Sequence, residues 1–114
     1  MRGALRFLGL ARKAGALVTG EDNARLAVRS GRARLLVVSA DASANARKRA
    51  EDFVKGTNVP LAALPLTKAD ISSATGRPGC SMAVFTDKGL AAAFLKALAA
   101  EYGEDGSPLA ELLG

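Results

Sequence analysis

The feature that most constrains the fold is an uninterrupted apolar run within residues 34–39, where Leu35, Leu36, Val37 and Val38 follow one another. A short run of this kind, rich in β-branched residues, is typical of a strand that is covered on both faces. Segments with helical spacing alternate with this and other strand-like segments along the chain. The alternation predicts an α/β fold, a three-layer α/β/α sandwich with a mixed sheet of about four strands and five helices.

Local signals predict the limits of the domain and of its helices. A chain of 114 residues allows one core, so we assign residues 1–102 to a single domain and residues 103–114 to a mobile C-terminal tail. Asp41 or Ser43 is expected to cap the third helix, and Thr67 opens a capping-box pattern at the fourth. The first helix is predicted to bury an apolar stripe formed by Ala4, Phe7, Leu8, Leu10, Ala11 and Ala14.

Residue types that are missing from the chain exclude several classes of function. The chain has no histidine and a single cysteine, Cys80, which excludes zinc sites built from Cys and His as well as imidazole acid–base catalysis. Cys80 is either a small buried hydrophobe, which we favour, or a reactive thiol. No phosphate-binding glycine motif and no apolar run long enough to span a bilayer are present. We therefore expect a cytoplasmic protein that is not an enzyme, with no cofactor, no metal and no membrane partner.

The charge is unevenly distributed along the chain. Residues 1–50 contain 11 Lys and Arg against 3 Asp and Glu, although the net charge of the whole chain is only +5. A basic half is the usual footprint of a polyanionic partner, and the alternative is a charge that serves solubility alone. We expect a connected basic surface near the binding site, formed by Arg12, Lys13, Arg29, Arg32 and Arg34.

Two glycine-containing loops are candidates for binding. At residues 19–23 a strand ends at Gly20 and a helix begins at once, which presents backbone N–H groups and the amide of Asn23 outward. An asparagine amide offers a donor and an acceptor to a base edge. The loop at residues 74–80 presents Arg77 on a constrained backbone, suited to a phosphate or a base. Taken alone, each loop is more often an ordinary turn than a binding loop.

The order of these motifs resembles that of a known family. The resemblance covers roughly residues 4–100 and is carried by a glycine-led helix start, the buried strand and the second loop. Its core is the run Gly20-x-x-Asn23-x-x-x-Ala27-Val28-Arg29-x-Gly31-Arg32-Ala33-Arg34-Leu35-Leu36-Val37-Val38-Ser39. This run is similar to the kink-turn-binding ribosomal-protein superfamily (the L-seven-Ae type), and more closely to its bacterial YlxQ-type branch.

The resemblance implies an RNA-binding function and a site. Members of the superfamily fold as an α/β/α sandwich and grip sharply bent RNA at tandem sheared G·A pairs with the first turn of the second helix. The loop before the last strand covers a flipped-out nucleotide. The implied partner is a kink-turn or ribosomal RNA, together with ribosomal or translation proteins. By position, the implied RNA-binding residues are Gly20, Glu21, Asp22 and Asn23, a substitute cation Arg25, and the loop residues Arg77, Pro78, Gly79 and Cys80.

Some positions depart from the superfamily pattern and leave other functions open. Strong kink-turn binders usually have Asn then Glu where this chain has Asp22 then Asn23, and a basic residue in place of Leu26. Glu21 and Asp22 would also face RNA phosphates. A protein-interaction module with weakened or lost RNA binding is therefore the main alternative. The substrate-recognition part of an RNA-modifying enzyme is a third reading.

Overall fold

The computed structural model of the protein describes residues 3–78 and 80–102. Its helices and strands alternate as the sequence predicts, so the α/β/α expectation is confirmed. The proposed tail at residues 103–114 and Gly79 lie outside the described residues. The elements are α1 Gly3–Lys13, β1 Leu17–Thr19, α2 Glu21–Arg29, β2 Leu35–Val38, α3 Ala44–Val54, β3 Leu61–Ala63, α4 Lys68–Thr75, β4 Met82–Phe85 and α5 Lys88–Tyr102.

The four strands form one mixed sheet in the order β1-β4-β2-β3. β4 runs antiparallel to both of its neighbours, with Ala83 opposite Thr19 on one side and Val37 on the other. β2 pairs in parallel with β3. The apolar run predicted as a covered strand is β2, and it lies inside the sheet between β4 and β3.

Alternating side chains of the sheet enter two separate cores. Leu35 and Val37 pack with α1, α4 and α5 on one face, and Leu36 and Val38 pack with α2 and α3 on the other. All four are at most 3% exposed. Full burial of such a side chain contributes roughly 1.5–3 kcal/mol, so helices on both faces are what makes an all-apolar strand stable.

The structure shows which of the two predicted residues, Asp41 or Ser43, caps α3. The Ser43 hydroxyl accepts a hydrogen bond from the Ala46 N–H at 3.0 Å, so Ser43 is the cap. Asp41 instead accepts from the backbone N–H of Lys68 at 2.9 Å, which joins the β2–α3 loop to the start of α4. That bond is the main reason why the pKa of Asp41 lies below its ordinary value. Its contribution to stability is therefore present above the ordinary pKa and is lost as the pH falls through the lowered one.

The apolar stripe predicted for α1 is too wide. Ala4, Leu8 and Ala11 are fully buried, whereas the Leu10 side chain is 52% exposed and Ala14, just beyond the helix, is exposed as well. Each helical residue advances by about 100°, so Leu10 lies some 200° around the axis from Leu8. The prediction that Leu10 and Ala14 face the core was wrong.

The capping box at the start of α4 yields a stability prediction. The Thr67 hydroxyl accepts from the Asp70 N–H and the Asp70 carboxylate accepts from the Thr67 N–H, at 3.1 and 3.0 Å. Thr67→Ala is expected to lower the free energy of unfolding by about 1 kcal/mol, measured by urea denaturation. Ser73→Ala, an exposed change within the same helix, is the control and should be neutral or slightly stabilising. Equal losses in the two variants would contradict the capping role.

Candidate nucleic-acid interface

The two candidate loops meet at one end of the sheet. Because β4 is antiparallel to β1 and β2, its first residue lies beside the last residues of both neighbours. The Gly20 N–H donates to the Met82 carbonyl at 3.0 Å, and the Ser39 N–H donates to the Ser81 carbonyl at 2.8 Å. We call this the upper end of the sheet. It places the start of α2 next to the loop that follows α4.

A surface cavity lies between these loops, and we call it the Asn23 cavity. Its volume is about 490 Å³. It is bounded by the end of α1, by β1 with the start of α2, and by the loop before β4. Arg12 and Arg77 are the charged groups that line it, and no carboxylate is among the described lining residues. The lining residues are Arg12, Leu17, Val18, Thr19, Gly20, Asn23, Arg77, Pro78 and Cys80.

Gly20 has a backbone conformation that other residues avoid. Its φ of 93° and ψ of 157° lie in a region that is essentially restricted to glycine. A Cβ atom built at Gly20 would have open space around it, with nothing described within 4 Å. The chain therefore needs glycine here for its backbone angles, and the side that a side chain would occupy stays open.

The start of α2 offers hydrogen-bond donors. Gly20 provides no side-chain cap, so the first-turn N–H groups lack the partner that a capping hydroxyl or carboxylate would supply. The exposed Asn23 side chain donates through Nδ2 to the Thr19 carbonyl at 3.0 Å. That bond orients the amide and leaves its oxygen and second N–H for another partner. The backbone carbonyl of Thr19 thus holds the Asn23 side chain in place.

Both acidic residues of the first turn have a cationic neighbour. Glu21 forms an ion pair and hydrogen bond with Arg49 of α3, and Asp22 lies 3.8 Å from Arg25. Arg25, predicted as a substitute cation, is therefore partly engaged within its own helix. Glu21 and Asp22 line a second pocket of about 370 Å³, next to the Asn23 cavity, to which Arg49 also contributes. Such exposed pairs stabilise the fold little, but they offset negative charge at the helix start.

Sequence reasoning missed Arg49 as part of this region. Arg49 sits at the boundary of the polar face of α3, and its partner Glu21 lies 28 positions earlier in the chain. Helical spacing places Arg49 on its helix but carries no information about a contact with α2. The basic run at residues 47–49 was the one available signal, and it does not indicate which of its members turns toward the site.

The loop before β4 presents Arg77 and Pro78 to solvent, and Cys80 lies beneath them. Arg77 and Pro78 are exposed. Cys80 is 6% exposed, and its thiol lies 3.4 Å from the Arg77 carbonyl and 3.8 Å from that of Pro78. The expectation of a small buried side chain at Cys80 is confirmed. Cys80 also lines the Asn23 cavity.

The predicted basic residues do not gather around the cavity. Arg12 lines it, and the exposed Lys13 lies beside a shallow groove between α1 and α4. Arg29, Arg32 and Arg34 follow at the other end of α2, about 14 Å along the helix axis. The reason is topological, because α2 leads the chain away from Gly20 to the opposite end of the sheet, where β2 starts.

Within residues 3–78 and 80–102 no helix is long and apolar enough to cross a bilayer. The same residues hold no group of three or more His, Cys, Asp or Glu side chains arranged to bind a metal ion.

Comparison with known sequences identifies the family. The chain is 35% identical over 75 residues to the RNA-binding protein YlxQ of Enterococcus faecium, which covers 66% of this chain and 72% of the relative. The chain belongs to the YlxQ family. It is also 32% identical over 85 residues to the RNA-binding protein YlxQ of Bacillus subtilis, covering 75% of this chain and 84% of that relative. No protein-family model matches the chain.

Solved structures agree with the fold of this YlxQ-family chain. A Bacillus halodurans protein of unknown function superposes with a TM-score of 0.78 at 24% identity, covering 86% of this chain and 98% of the other. The 15.5kD RNA binding protein of Giardia lamblia superposes with a TM-score of 0.67 at 16% identity, covering 96% and 86%. At these identities the likeness establishes a shared fold.

Because a Cβ at Gly20 would meet no neighbouring atom, a substitution there tests the cost of its backbone angles alone. Gly20→Asn is expected to lower the free energy of unfolding by about 1–3 kcal/mol, because its φ and ψ are unfavourable for any residue with a Cβ. Gly76, with φ 74° and ψ 13°, is left-handed helical, a region that asparagine tolerates. Gly76→Asn is therefore the control and should cost less than 1 kcal/mol. Equal melting temperatures for the two variants would contradict this account of Gly20.

Proposed function

We propose that this YlxQ-family chain is a non-enzymatic RNA-binding protein that binds structured, kink-turn-like RNA at the Asn23 cavity. The observation that carries the proposal is the cavity itself. It combines an uncapped helix start, an oriented asparagine amide and two guanidinium groups, with no carboxylate among its described lining residues. Its relatives in Enterococcus faecium and Bacillus subtilis are named as RNA-binding proteins.

The cavity has the chemistry to read a base edge. Asn23 keeps an amide oxygen and one N–H available after its bond to Thr19. An acceptor beside a donor matches the edge of a purine, which is how asparagine discriminates bases. The resemblance to kink-turn binders assigns this contact to a sheared G·A pair. Neighbouring first-turn N–H groups are suited to the adjacent backbone oxygens.

Two arginines flank the cavity where a bent RNA backbone would pass. Arg12 approaches from α1 and Arg77 from the loop before β4. A guanidinium can bind a phosphate in a bidentate manner or stack on an unpaired base. The exposed position of Arg77 suits the covering of a flipped-out nucleotide. The cations beside Glu21 and Asp22 reduce the repulsion that these carboxylates would exert on RNA.

We further propose that the protein has an accessory role at the ribosome or in translation, in the cytoplasm. The basis is the resemblance to the ribosomal-protein superfamily, in which the same helix start and loop bind RNA. The absence of histidine from the sequence and the burial of Cys80 favour a role in binding over catalysis.

One observation favours the alternative of a protein-interaction module. Leu26 lies on α2, one turn after Asn23, and is 54% exposed. Strong kink-turn binders usually have a cation at that position. An exposed leucine contributes nothing to phosphate binding, whereas its burial against a protein partner would be favourable. If this alternative holds, Asn23 has no role in RNA recognition.

Asn23→Ala tests the proposal against a matched asparagine. The variant should lose roughly 1–3 kcal/mol of binding free energy on a kink-turn RNA, because a paired base contact is removed. Binding to a plain duplex without G·A pairs should change little. Asn45→Ala, at an exposed position in the first turn of α3, is the control and should bind both RNAs like the wild type. Fluorescence anisotropy measures the affinities.

Melting temperatures are needed beside these affinities. Loss of the bond to Thr19 should lower the free energy of unfolding by at most about 1.5 kcal/mol, because Asn23 is exposed. Wild-type affinity of a folded Asn23→Ala variant for both RNAs would refute the proposed site. Retained RNA binding that instead depends on Leu26 would favour a different surface of α2.

A further inference from the structure

A second cleft opens at the opposite end of the sheet from the Asn23 cavity. It lies where β2 and β3 begin and where α5 follows β4, and its volume is about 660 Å³. The Arg34 N–H donates to the Phe85 carbonyl at 2.8 Å, which fixes Arg34 at this lower end. We call it the Arg34 cleft. Four polar residues line it, Arg34, Thr57, Asn58 and Lys88, beside apolar side chains such as Val28 and Pro60.

The polar part of the Arg34 cleft is cationic. Arg34 and Lys88 are exposed cations in its wall, Asn58 adds an exposed amide, and no carboxylate is among the described lining residues. Among the residues that the structure describes, the guanidinium of Arg34 has one contact, a long one of 3.4 Å with the Gly31 carbonyl. Asp87 precedes Lys88, but its carboxylate accepts from the Leu90 N–H at 2.8 Å as the cap of α5. Both cations in the wall therefore have donors for an anion.

More cations surround this end of the sheet. Arg29 ends α2, and Arg32 follows in the exposed turn that leads to Arg34. Arg32 donates to the Ser30 hydroxyl at 3.1 Å, which leaves its remaining N–H groups available. Three guanidinium groups within six residues, next to a lysine, form a field that attracts a polyanion. These are the basic residues that the structure keeps away from the Asn23 cavity.

The chemistry of the cleft favours RNA over an acidic protein. Protein interfaces are usually anchored by exposed apolar or aromatic side chains. The large hydrophobic residues found exposed in the described part of the chain are Leu10 and Leu26, and neither lines this cleft. Forked guanidinium groups with an amide and a hydroxyl nearby match the oxygens of a phosphodiester backbone.

We infer that the Arg34 cleft binds the phosphate backbone of a second RNA segment, so that one molecule of this protein bridges two segments across its sheet. The inference rests on the proposed function for its choice of polyanion. The two sites lie at opposite ends of the sheet in a molecule about 30 Å across. Because they open at opposite ends, both can be occupied at once by different segments of one folded RNA or by two RNAs.

The test uses the whole protein, already bound to a short unlabelled kink-turn RNA, and titrates it with a labelled plain RNA duplex. The duplex should bind the complex at low salt. Arg34→Gln with Lys88→Gln should weaken that binding about tenfold and reduce its log–log salt slope by about 0.7–0.9 for each cation removed. Lys48→Gln with Lys96→Gln removes the same charge from exposed positions on α3 and α5. This control pair should leave the duplex affinity near that of the wild type.

The outcomes separate the inference from the proposed function. If the wild type does not bind kink-turn RNA, the proposed function fails, and duplex binding by the free protein still tests the cleft through the same variants. Equal effects of the two double variants, with unchanged melting temperatures, would overturn the cleft as a site. Tighter binding of a polyglutamate peptide than of the duplex would overturn it in favour of an acidic protein partner.

Discussion

The antiparallel pairing of β4 with both β1 and β2 organises the whole molecule. It places the end of β1 and the start of β4 side by side, where Gly20 donates to Met82 across the strands. The glycine-led start of α2 and the loop after α4 therefore meet, although about 55 residues separate them in the chain. The same pairing sends the start of β2 to the other end of the sheet. One strand thus determines where both proposed RNA contacts lie.

The topology of the fold determines where the cationic side chains of this protein lie. A net charge of +5 is modest, and some of the cationic side chains are held in ion pairs, such as Arg49 with Glu21 and Arg25 with Asp22. In the described part of the chain, Arg12 and Arg77 lie at one end of the sheet, and Arg29, Arg32 and Arg34 lie toward the other. Because electrostatic attraction decays within about 8–10 Å at physiological salt, the two ends act as separate sites.

Much of the fold follows from local patterns in the sequence. The alternation of helices and strands, the capping box at Thr67 and the burial of Cys80 depend on short-range periodicity and side-chain chemistry, and these predictions are confirmed. The contacts that shape the site depend on distant residues. The pairing of Arg49 with Glu21 and the separation of Arg34 from Gly20 arise from strand order, which periodicity does not encode. The wrong assignment of Leu10 arose because an apolar side chain is not always a buried one.

In the proposed function, the start of α2 and the loop before β4 together form one RNA surface. Amide chemical shifts of ¹⁵N-labelled protein titrated with kink-turn RNA test this directly. The largest changes are expected at residues 19–23 and at Arg77 and Cys80, moving together with one dissociation constant. Changes at Leu10 and Leu26 without changes at Gly20 and Asn23 would contradict the claim.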